Sequence, residues 1–169
     1  MMCPNKRYLL VEPDFPTLKN RNHYDYLPIG LLKIASYLRE QRNEVKLVYG
    51  YPDNFNDTIR IMKFNPDEVW VTSMFTYWAK YVKETVQYYK SIFSKAKVIV
   101  GGIYASLMPD HCKKYTGCDE VYVGVHSEAE KYFPAYDLIK NDNGSLVDYQ
   151  IIHASRGCIR QCPSVGHGE

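Results

Sequence analysis

Two cysteines near the end of the chain have the spacing of ligands to one inorganic centre. Cys158 and Cys162 lie within residues 156–162, RGCIRQC. Three intervening residues allow two sulfurs of one loop to converge, and thiolates are soft ligands that suit iron and zinc. We therefore identify Cys158 and Cys162 as candidate metal ligands.

This loop resembles the Cys-x3-Cys-x2-Cys signature of radical S-adenosylmethionine enzymes, in which three cysteines hold a [4Fe-4S] cluster. The resemblance implies that Cys158 and Cys162 bind the cluster and that the intact enzyme uses S-adenosylmethionine. The third cysteine would stand at Val165. One possible back-translation of residues 163–168 restores it when a single T is added after the codon of Pro163, giving the sequence PFCGTW. We expect either a one-base deletion that truncates a larger radical enzyme within this loop, or a degenerate site with a native valine.

Composition and length predict one globular domain of ordinary size. The chain has 169 residues, of which 46% are hydrophobic and 24% charged, enough for a proper core. The early apolar run Tyr8–Val11 is too short for a signal or spanning segment, so we expect a cytoplasmic location and no membrane partner. Five cysteines without extracellular context favour reduced thiols. A net charge of +2 without a dense Lys/Arg run gives no sign of nucleic-acid binding.

Short apolar runs alternate with amphipathic stretches through most of the chain, which is typical of α/β proteins. The predicted strands are Tyr8–Val11, Val45–Tyr49, Val69–Ser73, Lys97–Val100 and Glu120–Val123, and the predicted helices begin at Pro28, Asp57 and Tyr77. This order predicts a doubly wound, mostly parallel five-stranded sheet of the Rossmann-like or flavodoxin-like kind. A capping box at Ser127 and Glu130 predicts one more helix, which would carry Ala129 and Phe133 towards the sheet.

A run rich in Asn, Asp, Gly and Ser divides the chain. Residues 140–148 have the composition of a linker, so we expect an α/β domain over residues 1–139 and the start of a second domain over residues 149–169. The second part begins with a strand-like run, Tyr149–Ala154, that leads into the cysteine loop. If the remainder of a barrel domain is missing, that strand has no sheet to join, and an open edge predicts a homodimer.

Ligands of doubly wound sheets bind at the carboxyl ends of the strands, where the strand order reverses. Gly101 and Gly102 follow the fourth predicted strand, and without a Cβ they let a flat ligand approach the backbone closely, although such a pair is also an ordinary tight turn. Aromatic residues gather around the third strand and predict either a flat platform or core packing. They are Trp70, Phe75, Tyr77, Trp78 and Tyr81.

Three segments taken together are similar to a known module. They are residues 27–32 (LPIGLL), 98–106 (VIVGGIYAS) and 121–124 (VYVG). Over residues 6–137 the chain resembles the cobalamin-binding-type domain that precedes the barrel in many radical S-adenosylmethionine proteins. The resemblance implies a flavodoxin-like fold, a corrinoid over the strand ends and a radical barrel as the partner domain. The candidate cofactor-binding residues that it implies are Ser73, Phe75, Gly101, Gly102, Tyr104 and Gly124.

The chain departs from that family at one motif. An Asp-x-His-x-x-Gly signature would follow the first strand and supply a histidine ligand, whereas Asp14, Pro16 and Lys19 occupy its three positions here. The resemblance therefore leaves two alternatives, a corrinoid held without a protein histidine or a fold kept without the cofactor.

Other reactive side chains do not form a recognisable site in the sequence. Cys112 and Cys118 are too far apart for a structural zinc pair, so we expect packing roles for them and for His111. His126 is expected either to cap the turn that follows it or to touch a ligand. Glu12 carries a carboxyl group without an evident catalytic partner.

Two functions remain open on the sequence. The first is the front module of a radical S-adenosylmethionine enzyme, which would be inactive by itself. The second is a freestanding module that binds a corrinoid or a protein.

Overall fold

The computed structural model describes residues 6–16, 27–52, 54–139 and 149–151. The linker, most of the predicted strand Tyr149–Ala154, and the cysteine loop with Cys158 and Cys162 lie outside these residues. The predictions made for them therefore stay predictions.

Five strands form one sheet, and every pairing between them is parallel. They are β1 (Arg7–Glu12), β2 (Glu44–Tyr49), β3 (Glu68–Ser73), β4 (Lys97–Gly102) and β5 (Glu120–Val121). Their spatial order is β2-β1-β3-β4-β5, the flavodoxin-like order, which confirms the predicted doubly wound fold. The order reverses between β1 and β3, so the crevice that such folds use for ligands opens at the carboxyl ends of the central strands.

The central strands are buried on both sides, as parallel sheets require. In β1, Leu9 and Val11 face one layer of helices while Tyr8 and Leu10 face the other, and all four are buried. This explains why a continuous apolar run, rather than an alternating one, marks the strand in the sequence.

Among the described residues, five helices cover the sheet unequally. They are α1 (Ile29–Glu40), α2 (Phe55–Phe64), α3 (Ala79–Ile92), α4 (Ile103–Leu107) and α5 (Pro109–Thr116). The last four helices pack on one face of the sheet, and α1 packs on the other together with the chain that follows β5. The first three match the predicted helices within a few residues, with a short 3-10 turn at Thr76–Trp78 before α3.

The helices α4 and α5 were not predicted. Only Tyr104 and Ala105 of α4, and Cys112 and Thr116 of α5, are buried. Two buried residues in each short helix are too few to produce a helical period in the sequence.

The predicted helix after Ser127 is wrong. Only one 3-10 turn forms there, at Ala129–Lys131. The carboxylate of Glu130 accepts a bond from Lys33 Nζ at 2.9 Å on α1, and so is directed across the domain. The backbone N–H of Ala129 donates to His126 Nδ1 at 3.2 Å, so a histidine caps the turn.

The predicted burial of this segment is half correct. Ala129 is buried, but Phe133 is 88% exposed. Pro134 follows directly, and a proline disfavours helical conformation in the residue before it. The segment therefore leaves the helical path before Phe133 could turn towards the sheet.

The chain beyond the linker returns to the domain beside the start of α1. Tyr149 and Ile151 pack against a small buried cluster that includes Leu27 and Leu32. The hydroxyl of Tyr136 accepts from the backbone N–H of Ile151 at 3.0 Å and lies 3.3 Å from its carbonyl oxygen. Residues 149–151 thus contact the domain without pairing as a strand.

A buried hydrogen bond connects α3 to the turn after β2, and its removal tests the packing of that layer. Tyr89 donates from its hydroxyl to the carbonyl oxygen of Gly50 at 2.9 Å, within the core. We expect Tyr89→Phe to lower the free energy of unfolding by about 1–2 kcal/mol, because it leaves a buried carbonyl without its donor. Urea denaturation measures this. Tyr77→Phe, which alters an exposed ring, is the control and should stay within about 0.5 kcal/mol of the parent; equal losses would contradict the role of the bond.

Candidate functional site at the carboxyl ends of the strands

Ser73 connects the ends of β3 and β4. Its hydroxyl donates to the carbonyl oxygen of Gly101 at 2.7 Å and accepts from the backbone N–H of Ala105 at 3.1 Å. The side chain is only 2% exposed. Ser73, predicted to bind a cofactor, thus has its hydroxyl engaged within the chain and positions the Gly101–Gly102 backbone.

The two glycines of β4 serve different purposes. Gly102 has a φ of +99°, and a Cβ on it would overlap the backbone of Ser73. The close packing of β3 on β4 therefore requires glycine at this position. A Cβ on Gly101 would lie 3.6 Å from the Cβ of Tyr122, an ordinary contact. The fold itself therefore does not require glycine at 101, where the backbone pairs with β3 and the carbonyl accepts from Ser73.

A second serine, Ser106, joins the loops after β4 and β5. Its hydroxyl donates to the carbonyl oxygen of Gly102 at 2.8 Å and accepts from the N–H of Gly124 at 2.9 Å. Gly124, a predicted cofactor-binding residue, has a φ of +83° and turns the chain here. The sequence analysis missed this role of Ser106. Its position four residues after Gly102 is the one signal, because a helical serine can bond back to the carbonyl four residues earlier.

The side chain of Tyr104 is directed away from the strand ends. It is fully buried among the helices on the α3 side of the sheet, and its hydroxyl lies 2.7 Å from His111 Nδ1. Burial raises the pKa of Tyr104 to about 12. If Tyr104 contacts a cofactor, as the sequence predicted, only its backbone could do so.

The aromatic residues near β3 form two groups rather than one platform. Phe75 and Tyr77 stack with ring centres 5.1 Å apart, and the edge of Trp78 meets both rings. Phe15, from the loop after β1, stacks on Trp78 at 5.0 Å. Phe75 and Tyr77 are 42% and 71% exposed, so this group offers aromatic surface directly after β3.

Trp70 belongs to the other group. It lies on the α1 face of the sheet, where its ring meets those of Tyr8, Tyr122 and His126. The alternation of side chains along β3 sends Trp70 to the side opposite Val69 and Val71. Of the two alternatives that the sequence left open, core packing therefore holds for Trp70.

Exposed apolar side chains follow the carboxyl ends of three neighbouring strands. Together they form what we call the apolar rim: Phe75 and Tyr77 after β3, Ile103 and Leu107 after β4, and Val123 after β5. Apolar side chains concentrated at one edge of a sheet indicate a surface for a ligand or another domain.

Glu12 ends β1, next to the point where the strand order reverses. Burial raises the pKa of its carboxyl group from 4.5 to about 8. Among the described residues, no cation or hydrogen-bond donor contacts this side chain. At neutral pH the group therefore keeps its proton and can donate a hydrogen bond.

The remaining candidate ligands do not form a metal site within the described ranges. Cys112 and Cys118 are buried and contact each other, and the hydrogen bond that the Cys112 thiol donates to Cys118, together with burial, raises the pKa of Cys112. These are the packing roles expected from their spacing. No group of three or more His, Cys, Asp or Glu side chains that could hold a metal occurs in the described part of the chain.

No helix among the described residues has both the length and the apolar character needed to cross a membrane.

A family model for the B12 binding domain matches residues 18–136, well over half of the chain. The chain belongs to the B12-binding domain family. This membership supports cobalamin binding and agrees with the flavodoxin-like strand order.

One solved structure agrees with the fold of this B12-binding domain, and a second was found with a lower similarity. A cobalamin-binding protein from Desulfitobacterium hafniense is similar with a TM-score of 0.52 and 17% identity, covering 76% of this chain and 56% of its own. The cobalamin-dependent S-adenosylmethionine radical enzyme OxsB has a TM-score of 0.42 and 15% identity, covering 64% of this chain and 16% of its own. The domain thus spans about half of the first protein and a small part of the second. No curated protein matches the sequence.

The different requirements for glycine at 101 and 102 can be tested by matched substitutions. We expect Gly102→Ala to lower the free energy of unfolding by about 2–4 kcal/mol, because it combines a left-handed φ with backbone overlap. Gly101→Ala should change it by less than about 1 kcal/mol, because its Cβ makes an ordinary contact. Urea denaturation of both variants measures these free energies. Similar losses of stability in the two variants would contradict the different requirements for glycine at 101 and 102.

The raised pKa of Glu12 predicts a dependence of stability on pH. Between 4.5 and about 8 the folded chain binds more protons at Glu12 than the unfolded chain, so this group's contribution to stability falls as the pH rises. Glu12→Gln stays neutral. We therefore expect it to match the parent near about pH 4 and to exceed it by about 1–3 kcal/mol near about pH 9.

Urea unfolding at both pH values measures the effect of Glu12→Gln. Glu40→Gln, which removes an exposed carboxylate at the end of α1, is the matched control. If both variants gained equally at high pH, the effect would come from net charge rather than from burial of Glu12.

Proposed function

We propose that this domain binds a corrinoid at the carboxyl ends of β3, β4 and β5 and is the cofactor module of a larger iron-sulfur radical enzyme. The observation that carries the corrinoid proposal is Gly101, a strand-end glycine that the fold itself does not require. Membership in the B12-binding domain family supplies the ligand class.

The residues at this edge fit a large, flat and partly apolar ligand. Gly101 places no side chain at the end of β4, and the apolar rim adds exposed aromatic and aliphatic side chains after β3, β4 and β5. Ligand sites are usually lined mainly by apolar side chains with a few fixed polar groups. Here Ser73 and Ser106 hold the backbone in place through four hydrogen bonds, so the surface is arranged before a ligand arrives.

A bound corrinoid supplies a cobalt centre for radical or group-transfer chemistry. The domain's own residues bind and orient it. The apolar rim excludes water from the ligand, and the protonated carboxyl of Glu12 is able to donate a hydrogen bond to a carbonyl group of the ligand. Residues 13–16 contain no histidine, because Pro16 stands where the family motif has one, so this described stretch would supply no imidazole to the cofactor.

The radical-enzyme part of the proposal rests on Cys158 and Cys162 and on the resemblance of their loop to a [4Fe-4S] site that uses S-adenosylmethionine. The packing of Tyr149 and Ile151 on the domain supports it, because this contact holds the chain that leads to the cysteines close to the domain. The cluster, S-adenosylmethionine and the radical barrel would belong to the intact enzyme.

The gene sequence beyond the codon of Glu169 separates this proposal from a freestanding module. A barrel-like continuation in a shifted frame supports the larger enzyme. An unrelated continuation contradicts it and leaves a domain that binds a corrinoid without chemistry of its own.

Corrinoid binding is tested by titrating the purified anaerobic protein with hydroxocobalamin and following the corrin chromophore by absorbance and gel filtration. We expect the chromophore to comigrate with the protein. Gly101→Leu should weaken binding by at least about tenfold, because a leucine side chain would add bulk at the strand end where we propose that the ligand lies.

The matched control for Gly101→Leu is Ser91→Leu. It places the same side chain in the last turn of α3, at the end of that helix away from the carboxyl end of β3. It should bind hydroxocobalamin as the parent does, and the urea midpoints of both variants show that they fold. Absence of comigration in the parent would overturn the proposal, and equal binding by Gly101→Leu would remove Gly101 from the site.

A further inference from the structure

The strand β2 forms an open edge of the sheet, at the side farthest from β5. Among the described residues it pairs only with β1. The N–H of Glu44 donates to Lys6 at 2.9 Å and that of Gly50 donates to Glu12 at 2.7 Å, so the even-numbered residues of this stretch face β1. By alternation, Val45 and Leu47 direct their backbone N–H and C=O groups outward, where no described residue bonds to them.

A cavity of about 560 Å³ lies along the first half of this edge. Five cationic side chains line it, namely Arg7, Arg39, Lys46, Arg60 and Lys63, and we call this lined cavity with the edge of β2 the cationic groove. Glu44 is the one carboxylate among its lining residues. The groove lies at the amino-terminal ends of β1 and β2, so it is separate from the candidate corrinoid site at the carboxyl ends of β3, β4 and β5.

The cations of the groove are partly held in place and partly free to bind. Arg39 is fixed by Asp137, with N–O distances of 2.8 and 3.0 Å. Arg7 and Arg60 also form ion pairs, with Asp67 at 3.8 Å and with Asp57 at 3.4 Å. Lys46 lies over the ring of Phe64, 4.6 Å from its centre. Neither Lys46 nor Lys63 forms an ion pair with any described carboxylate, so both charges are available to a partner.

Lysine on an edge strand often serves only to prevent strand pairing. That role would be met by Lys46 alone, whereas here α1, α2, β1 and β2 all bring cations to one cavity. A second copy of the chain is a poor occupant, because pairing β2 with itself would bring two cationic grooves together. An acidic strand satisfies both the open backbone groups and the charge.

We propose that the cationic groove is a docking site for an extended acidic segment of a partner protein, which would pair with β2 as a sixth strand. Main-chain bonds to Val45 and Leu47 would supply affinity, and the cations would select acidic side chains, as in other proteins that bind a peptide at a sheet edge. Binding at this edge does not require a corrinoid.

The test uses the full chain and fluorescein-labelled hexapeptides, followed by fluorescence anisotropy at low salt. We expect the peptide Glu-Val-Glu-Val-Glu-Val to bind at least about tenfold more tightly than Lys-Val-Lys-Val-Lys-Val. A copy of the acidic peptide with alternate amides N-methylated should bind at least about fivefold more weakly, because it cannot form the strand ladder.

Variants of the protein locate the site. Lys46→Glu combined with Lys63→Glu should weaken binding of the acidic peptide by at least about tenfold. Lys95→Glu combined with Lys114→Glu makes the same change in net charge at exposed positions outside the groove and should have little effect. Circular dichroism and urea midpoints confirm that both double variants fold.

Four results would overturn the proposal. They are equal binding of acidic and basic peptides, equal binding of the N-methylated peptide, equal losses in the two double variants, and tighter binding of a single-stranded oligothymidylate than of the acidic peptide. The first and third would indicate a non-specific surface. Equal binding of the N-methylated peptide would indicate that charge alone, without strand pairing, causes binding. Tighter binding of the oligothymidylate would indicate a nucleic-acid partner.

Discussion

The close packing of β3 against β4 is the constraint on which the candidate site depends. Gly102 has no side chain because the backbone of Ser73 occupies that space, and the buried hydroxyl of Ser73 then bonds to both Gly101 and Ala105. These contacts fix where β4 ends and where α4 begins. The hydroxyl of Ser106, in α4, in turn bonds to both Gly102 and Gly124, which follows β5. Two serine hydroxyls thus hold three neighbouring strand ends in one arrangement.

The sheet separates two surfaces of different character. The side on which the strands have their carboxyl ends is apolar. It carries the apolar rim and the protonated carboxyl group of Glu12. The outer edge of the sheet at β2 is cationic and has open backbone groups. A corrinoid at the first surface and an acidic strand at the second would not compete. The parallel topology produces this separation, because carboxyl ends meet at one edge and amino ends at the other.

Much of the fold could be predicted because its strongest signals are local. A buried parallel strand needs several consecutive apolar residues, so all five strands were found, although β5 is shorter and β4 longer than expected. The helices α4 and α5 were missed because each buries two residues only. The capping box at Ser127 failed because Lys33, distant in sequence, takes the carboxylate of Glu130. Local patterns do not reveal such competition.

The sequence by itself determined the α/β class, the parallel order of elements, and Gly101 and Gly102 as strand-end residues, because these depend on short-range apolar runs and on the absence of a Cβ. Only the tertiary structure decided which side chains meet. It turned Tyr104 into the core and engaged the hydroxyl of Ser73 within the chain. It also gathered five cations from separate elements into one groove, in a chain whose sequence has no dense basic run. Charge and burial are properties of neighbours in space, and the pairing of distant segments sets those neighbours.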